Sequence, residues 1–144
     1  MTTTAQDIEQ LNSFLRGEIS AVETFDQAIE SADDVAIIAT LTGCRDDHAE
    51  RVQLLRQEIT GLGGQPSDGS GVWGAFAKAV EGGAKVFGTS AAVAALKQGE
   101  EHGLKDYERD LTDLGTAARE MVATRLLPAQ LRTHDAISRL DEIV

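Results

Sequence analysis

Two glutamates, two histidines and their neighbours carry the residue types in this chain that could do chemistry. Glu18 interrupts the apolar series Leu11, Leu15, Val22 and Phe25, and His48 interrupts Leu41, Cys44 and Val52. Glu100 falls between Leu96 and the pair Gly103 and Tyr107, while Gln130 and His134 stand between Leu127 and Ile137. Steps of three and four place each of them on the buried stripe of a helix. A carboxylate in an apolar interior must be neutralised or paired. Two routes are open. Protonated His48 and His134 would form a salt-bridged network with Glu18 and Glu100. Alternatively, neutral imidazoles and ionised carboxylates would share one divalent cation, and a set of two Glu oxygens and two His nitrogens suits Zn, Fe or Mn. Lewis-acid or redox chemistry at such an ion needs an open coordination position, which four protein ligands tend to close.

Three residues stand beside this set. Cys44, one turn before His48, is a ligand, a redox thiol or a small buried apolar side chain. Tyr107 orients Glu100 or fills the core with a satisfied hydroxyl. Gln130 hydrogen-bonds a ligand or satisfies a carbonyl freed by Pro128. His102 points to another helix face than Glu100. Gly69-Ser70-Gly71 lacks the preceding strand and following Lys of a phosphate-binding loop. No Ser-His-Asp arrangement is apparent, so no catalytic residue is assigned and enzymatic activity is left open.

The elements that must position these residues read as four long helices. Helix A runs to Glu30, and Ser31-Ala32-Asp33-Asp34 breaks the chain and caps helix B, which ends at Gly63-Gly64 before Pro66. From Gly63 to Gly88 glycine and small residues dominate, with a short helix expected over Val72 to Val80 carrying Trp73 and Phe76. Thr89-Ser90 caps helix C, and Gly115-Thr116 turns the chain into helix D through Ala123, Leu127 and Ile137. Aromatics at 4% and only 2 Pro favour helix over sheet. The expectation is an all-α single domain over 1–144: a four-helix bundle whose long connection, about 63–88, joins the second and third helices in the ferritin-like manner. Each long helix has roughly 25 residues and so spans about 37 Å, which the crossover can traverse.

Glu18 and His48 lie roughly 14 and 16 residues from the A/B turn, and Glu100 and Gln130 about 15 from the C/D turn, so all fall near mid-bundle. Gly17, Gly43, Gly99 and Gly103 gather at the same depth. An interior Gly costs about 1 kcal/mol relative to Ala, which something at that layer must offset. Close helix approach is one such return, and Pro128 predicts a kink just before Gln130.

The opening Leu11-Asn12, the segment Leu62-Gly63-Gly64-Gln65-Pro66, Gly99-Glu100 with Tyr107 seven residues on, and the late His134 resemble an uncharacterised bacterial family of ferritin-like four-helix proteins, a domain of unknown function. The resemblance covers nearly the whole chain. The wider di-iron superfamily, as the resemblance implies, sets a lone Glu on each of two helices and Glu-x-x-His on each of the other two. Glu18 and Glu100 match the lone glutamates, and His48 and His134 the histidines. Three residues before the histidines stand Arg45 and Leu131 instead of glutamate. The resemblance therefore implies a mononuclear site at most, with a guanidinium opposing a second cation.

Charge limits the partners. With 13 Lys+Arg against 24 Asp+Glu, the net charge of -11 disfavours nucleic acid and anionic membranes. A single cysteine and an N-terminus without a signal pattern predict a cytoplasmic protein, and no apolar stretch is long enough to span a bilayer. The competing reading to a metal protein is a metal-free structural, interaction or stress-associated bundle whose polar layer fixes helix register. Trp73 and Phe76 would then cover a core edge or serve a homo-oligomer.

Overall fold

The computed structural model describes residues 3–71 and 74–144, with the side chains of Ala75, Phe76, Val80 and Val86 excepted. Trp73 and the Phe76 side chain, expected to cover a core edge, lie outside what is described. Among the described residues the regular structure is entirely helical: α1 (Thr4–Ser31), α2 (Val35–Gly61), α3 (Gly74–Phe87), α4 (Thr89–Asp110), α5 (Thr116–Met121) and α6 (Leu127–Ile143). A 3-10 turn (Leu111–Asp113) follows α4, and a π-helical turn (Val122–Leu126) joins α5 to α6. No helix among the described residues is long and apolar enough to cross a membrane.

Helix starts follow local chemistry. The Thr3 side chain accepts from the Gln6 N–H while the Gln6 side chain accepts from the Thr3 N–H, a reciprocal cap. Asp34 Oδ1 accepts from the amides of Ala36 and Ile37, as expected of the A/B break. The third long helix starts differently from expectation. Thr89 is already helical, and the residue before it is Gly88, at φ 85° and ψ -170°, a conformation essentially confined to glycine. Of the short helix expected over Val72 to Val80, Val72 and Trp73 lie outside the described residues, and the described part runs from Gly74 to Phe87. Gly82 and Gly83 do not end it, and Lys85 pairs with Glu81 one turn earlier.

The long helices touch in a ring, α1 on α2, α2 on α6, α6 on α4 and α4 on α1, with α3 laid against both α1 and α4. Asn12 secures the chain as it leaves α2: its amide donates to the Gln65 carbonyl and its Oδ1 accepts from the Ser67 N–H. Gly64 is required there because a Cβ would stand 2.7 Å from Ile8 Cγ2. Asp7 accepts from the Gly115 N–H at 3.0 Å and so holds the start of α5 against α1.

Two apolar clusters form the core. One gathers Phe25, Leu41, Cys44, Val93, Leu96 and Ile137; the other gathers Leu11, Leu15, Leu55, Tyr107, Val122 and Leu126. In sequence, every long helix passes from one cluster to the other through a polar residue: Glu18 on α1, His48 and Arg51 on α2, Glu100 on α4, Gln130 and Thr133 on α6. All six are buried.

The kink expected from Pro128 takes a particular form. Proline has no N–H to donate, and immediately before it the Leu127 N–H reaches back five residues to the Val122 carbonyl. Within this π turn Val122 and Leu126 are buried, one residue before the expected Ala123 and Leu127, whereas beyond it Gln130 and Ile137 keep the expected stripe and Thr133 takes the place of His134.

Candidate functional site: a buried ion network

His48 is the centre of the polar layer. Its Nδ1 lies 2.5 Å from Glu18 Oε2 and its Nε2 lies 2.5 Å from Glu100 Oε1. A carboxylate oxygen can only accept, so both ring nitrogens carry protons and the ring is an imidazolium. Burial alone would lower its pKa, but the facing Glu18 and Glu100 outweigh it and raise it from 6.5 to about 9. Phe25 packs over the ring with centroids 5.3 Å apart.

Arg51, 1% exposed, lies one turn beyond His48 and spends all five of its donors. Nη1 donates to Gln130 Oε1 at 2.5 Å and to Glu18 Oε1 at 3.4 Å; Nη2 donates to the Ala129 carbonyl and to Thr133 Oγ1; Nε donates to Asp47. Asp47 also pairs with Arg132 at the edge of the layer.

The carboxylates are satisfied in turn. Glu18 Oε1 accepts from the Tyr107 hydroxyl at 2.6 Å. Burial would push the Glu18 carboxyl up, yet Arg51, His48 and the Tyr107 hydroxyl together lower it to about 2. Glu100 Oε2 accepts from the Gln130 amide and the Thr133 hydroxyl, both at 2.8 Å. The Gln130 amide also donates to the Glu100 carbonyl. Burial and the Glu18 charge push the Tyr107 phenol well above its ordinary value, so it stays a donor. Two carboxylates, one imidazolium and one guanidinium sum to zero charge, which is what a buried cluster requires.

The expected residues thus divide. Glu18, His48, Glu100, Tyr107 and Gln130 come together. His134 does not join them: its ring is partly exposed, 3.8 Å from Glu101 and from Asp135. Cys44 belongs to an apolar cluster, and burial, with Glu100 and Asp47, pushes its thiol up to about 12, so it stays protonated. Arg45, expected to oppose a cation, reaches outward to Asp26 and Asp46, and Arg51 brings the guanidinium inside instead. The glycines divide as well. A Cβ at Gly103 would stand 2.8 Å from Gln130 Nε2, so close approach is needed there, whereas at Gly17 or Gly43 it would meet nothing within 4 Å.

Arg51 and Thr133 escaped the sequence reading. Cys44, His48, Arg51 and Leu55 are spaced four, three and four, as good a helical stripe as one through Val52. Gln130, Thr133 and Ile137 likewise fit as well as a stripe through His134.

The residues fit a metal ion poorly. His48 has no free nitrogen lone pair while it bonds both carboxylates, Arg51 supplies a fixed positive charge to Glu18, and His134 lies on another face. Among the described residues no group of three or more His, Cys, Asp or Glu side chains has an arrangement that could hold an ion.

Fold and site together define an all-helical protein with a neutral, fully partnered ion network across its core. Over residues 6–113 the chain matches the family model described as "Domain of unknown function (DUF2383)", and it belongs to that family. Neither a curated protein nor a solved structure matches it. Glu18, His48, Arg51, Glu100 and Tyr107 lie within the matched residues; Gln130 and Thr133, which close the network, lie beyond them.

Proposed function

We propose that this chain is a single ferritin-like four-helix bundle, in which a permanent pair of buried cations stands where related architectures hold metal, and that it acts as a metal-free structural or interaction protein. The ring of helix contacts and the crossover helix α3 support the bundle reading. The observation that carries the functional reading is the doubly bonded His48: a base that holds a proton against two carboxylates neither offers a lone pair to a metal nor abstracts a proton from a substrate. The network links α1, α2, α4 and α6 through directional bonds. Apolar contacts alone tolerate sliding, whereas this layer specifies one register, a role attested for some buried polar groups.

A second reading keeps one Zn, Fe or Mn ion at Glu18, His48 and Glu100, and it rests on the convergence of these three side chains at mid-bundle. Such an ion would have to replace the His48 proton beside Arg51. Elemental analysis of protein purified without chelator separates the two. The metal-free reading expects background Zn, Fe and Mn. About one equivalent of any of them, lost on His48→Ala, would replace it with the metal reading.

A further inference from the structure

A cavity of about 310 Å³ opens between α1 and α4 and reaches the ion network. Small residues make it: Gly17 and Ala21 of α1 and Gly99 and Gly103 of α4 line it, while Phe14, Phe25 and Leu96 supply apolar wall. Its volume suits a small ligand. Gly17 is informative, because a Cβ there would meet nothing within 4 Å among the described residues, so the residue leaves space at the expense of helix propensity.

Every charged group in the described lining has an answering partner. Glu18 and Glu100 are neutralised by His48 and Arg51, so the two carboxylates, the imidazolium and the guanidinium sum to zero. Asp106 pairs with Arg109 and lies 3.2 Å from His102, and Asp110 pairs with Arg109. An ion of either sign would shed water on entering without gaining a counter-charge, which is unfavourable. Uncharged polar groups fare differently. The hydroxyls of Ser13 and Thr24 and the amide of Gln98 stand in the same lining, and each group can both donate and accept. Thr24 shows the pattern, since its hydroxyl donates to the Ser20 carbonyl and its oxygen can still accept. An entering molecule therefore meets mixed hydrogen-bonding groups set in apolar wall, with no net charge to answer.

We infer that this cavity binds a small uncharged amphiphile, a primary alcohol of hexanol size whose chain lies against Phe14, Phe25 and Leu96 and whose hydroxyl, donor and acceptor at once, meets the mixed polar lining. This rests on the charge balance that the doubly protonated His48 completes, since a neutral ring would leave the inner end with net negative charge.

The test is titration of the full chain with 1-hexanol, n-hexylammonium chloride or sodium hexanoate in metal-free buffer at neutral pH, followed by NMR of the Gly17, Gly99 and Gly103 amides and of the His48 ring nitrogens. Hexanol should shift the three glycine signals saturably, with half-saturation at about 1 mM, and both ions should bind more weakly by about tenfold or more. Gly17→Leu projects a side chain into the cavity and exchanges glycine for a strong helix former, so it should weaken hexanol by about tenfold or more, read at Gly99 and Gly103. Absence of saturation by about 10 mM hexanol, either ion binding as tightly as hexanol, or unchanged affinity in folded Gly17→Leu would each overturn the site. The three ligands decide the matter on the parent chain even where the variant does not fold. His48 in the free protein reports separately. A doubly protonated ring without hexanol binding removes the cavity site alone, whereas a neutral ring removes the ion-network reading and with it the charge balance on which the site rests.

Discussion

Arg51 Nη1 donates to Gln130 Oε1 at 2.5 Å, and the amide of the same Gln130 donates to Glu100. Gln130 thereby relays between a cation on α2 and a carboxylate on α4, although neither residue lies on its own helix. A glutamine can do this because it carries an acceptor and two donors on one side chain. Each helix in the layer consequently depends on a residue supplied by another.

Removing Arg51 should therefore cost more than removing its packing. Arg51→Met leaves Glu18 with less compensation and Gln130, Thr133 and the Ala129 carbonyl without their shared donor. A loss of about 3–5 kcal/mol is expected in urea unfolding. Arg51→Lys should recover little of it, since three donors on a point charge cannot replace five in a planar fork. A loss within about 0.5 kcal/mol, the range of ordinary surface changes, would show the network to be energetically idle.

Two glycine substitutions should change stability in opposite directions. Gly43→Ala meets nothing within 4 Å and should stabilise by up to about 1 kcal/mol through helix propensity. Gly103→Ala gains the same propensity but brings a Cβ 2.8 Å from a Gln130 side chain already bonded to Glu100 and Arg51. It should destabilise by about 1–3 kcal/mol, as overpacking does. Thermal melts of the two variants compare the signs directly.

Stability should fall on both sides of a mildly acidic plateau. The His48 pKa is raised from 6.5 to about 9, so its contribution is complete below 6.5 and is lost as pH rises through 9. The Glu18 pKa is lowered from 4.5 to about 2, so its contribution is complete above 4.5 and is lost as pH falls towards 2. Each limb amounts to something on the order of 3 kcal/mol. Denaturant midpoints measured across pH should therefore be highest between 4.5 and 6.5.

Glu18→Gln separates the two limbs. A neutral amide cannot be protonated in that range, so the loss of stability towards acid should shrink relative to the parent. The alkaline limb should still begin near 6.5 but be smaller and end at lower pH, because Glu100 alone then holds the His48 proton. Parallel unfolding curves of parent and variant measure this, and an acid limb of unchanged size would place its origin outside Glu18.

The helical class and most of the polar layer were legible in the sequence. Glu18, His48, Glu100 and Gln130 each break an apolar stripe, and a polar residue in such a place has to be answered by another. Arg51 and Thr133 were hidden by the helical period itself. A spacing of 3.6 leaves two adjacent candidates at each turn, and the more apolar Val52 and the more reactive His134 drew the reading away from them. Val52 is also buried, so that stripe was broad, but His134 stands on the partly exposed side. In the π turn Val122 and Leu126 are buried one residue before the expected Ala123 and Leu127, while Gln130 and Ile137 beyond it keep the expected stripe, and Pro128 alone signals a disruption without saying where the register changes. α3 continues past the expected Val80 through Gly82 and Gly83 to Phe87, since glycine weakens a helix by an amount that a supported helix absorbs.

The ion network depends most on the proton state of His48. A pH titration of its two ring nitrogens by ¹⁵N NMR in metal-free buffer measures that state directly, with His48→Gln identifying the resonances. Nδ1 and Nε2 should both be protonated at neutral pH, with the ring losing a proton near 9. A His48 ring that is neutral at pH 7, with one nitrogen unprotonated, would contradict a charged, doubly bonded imidazolium at the centre of the network.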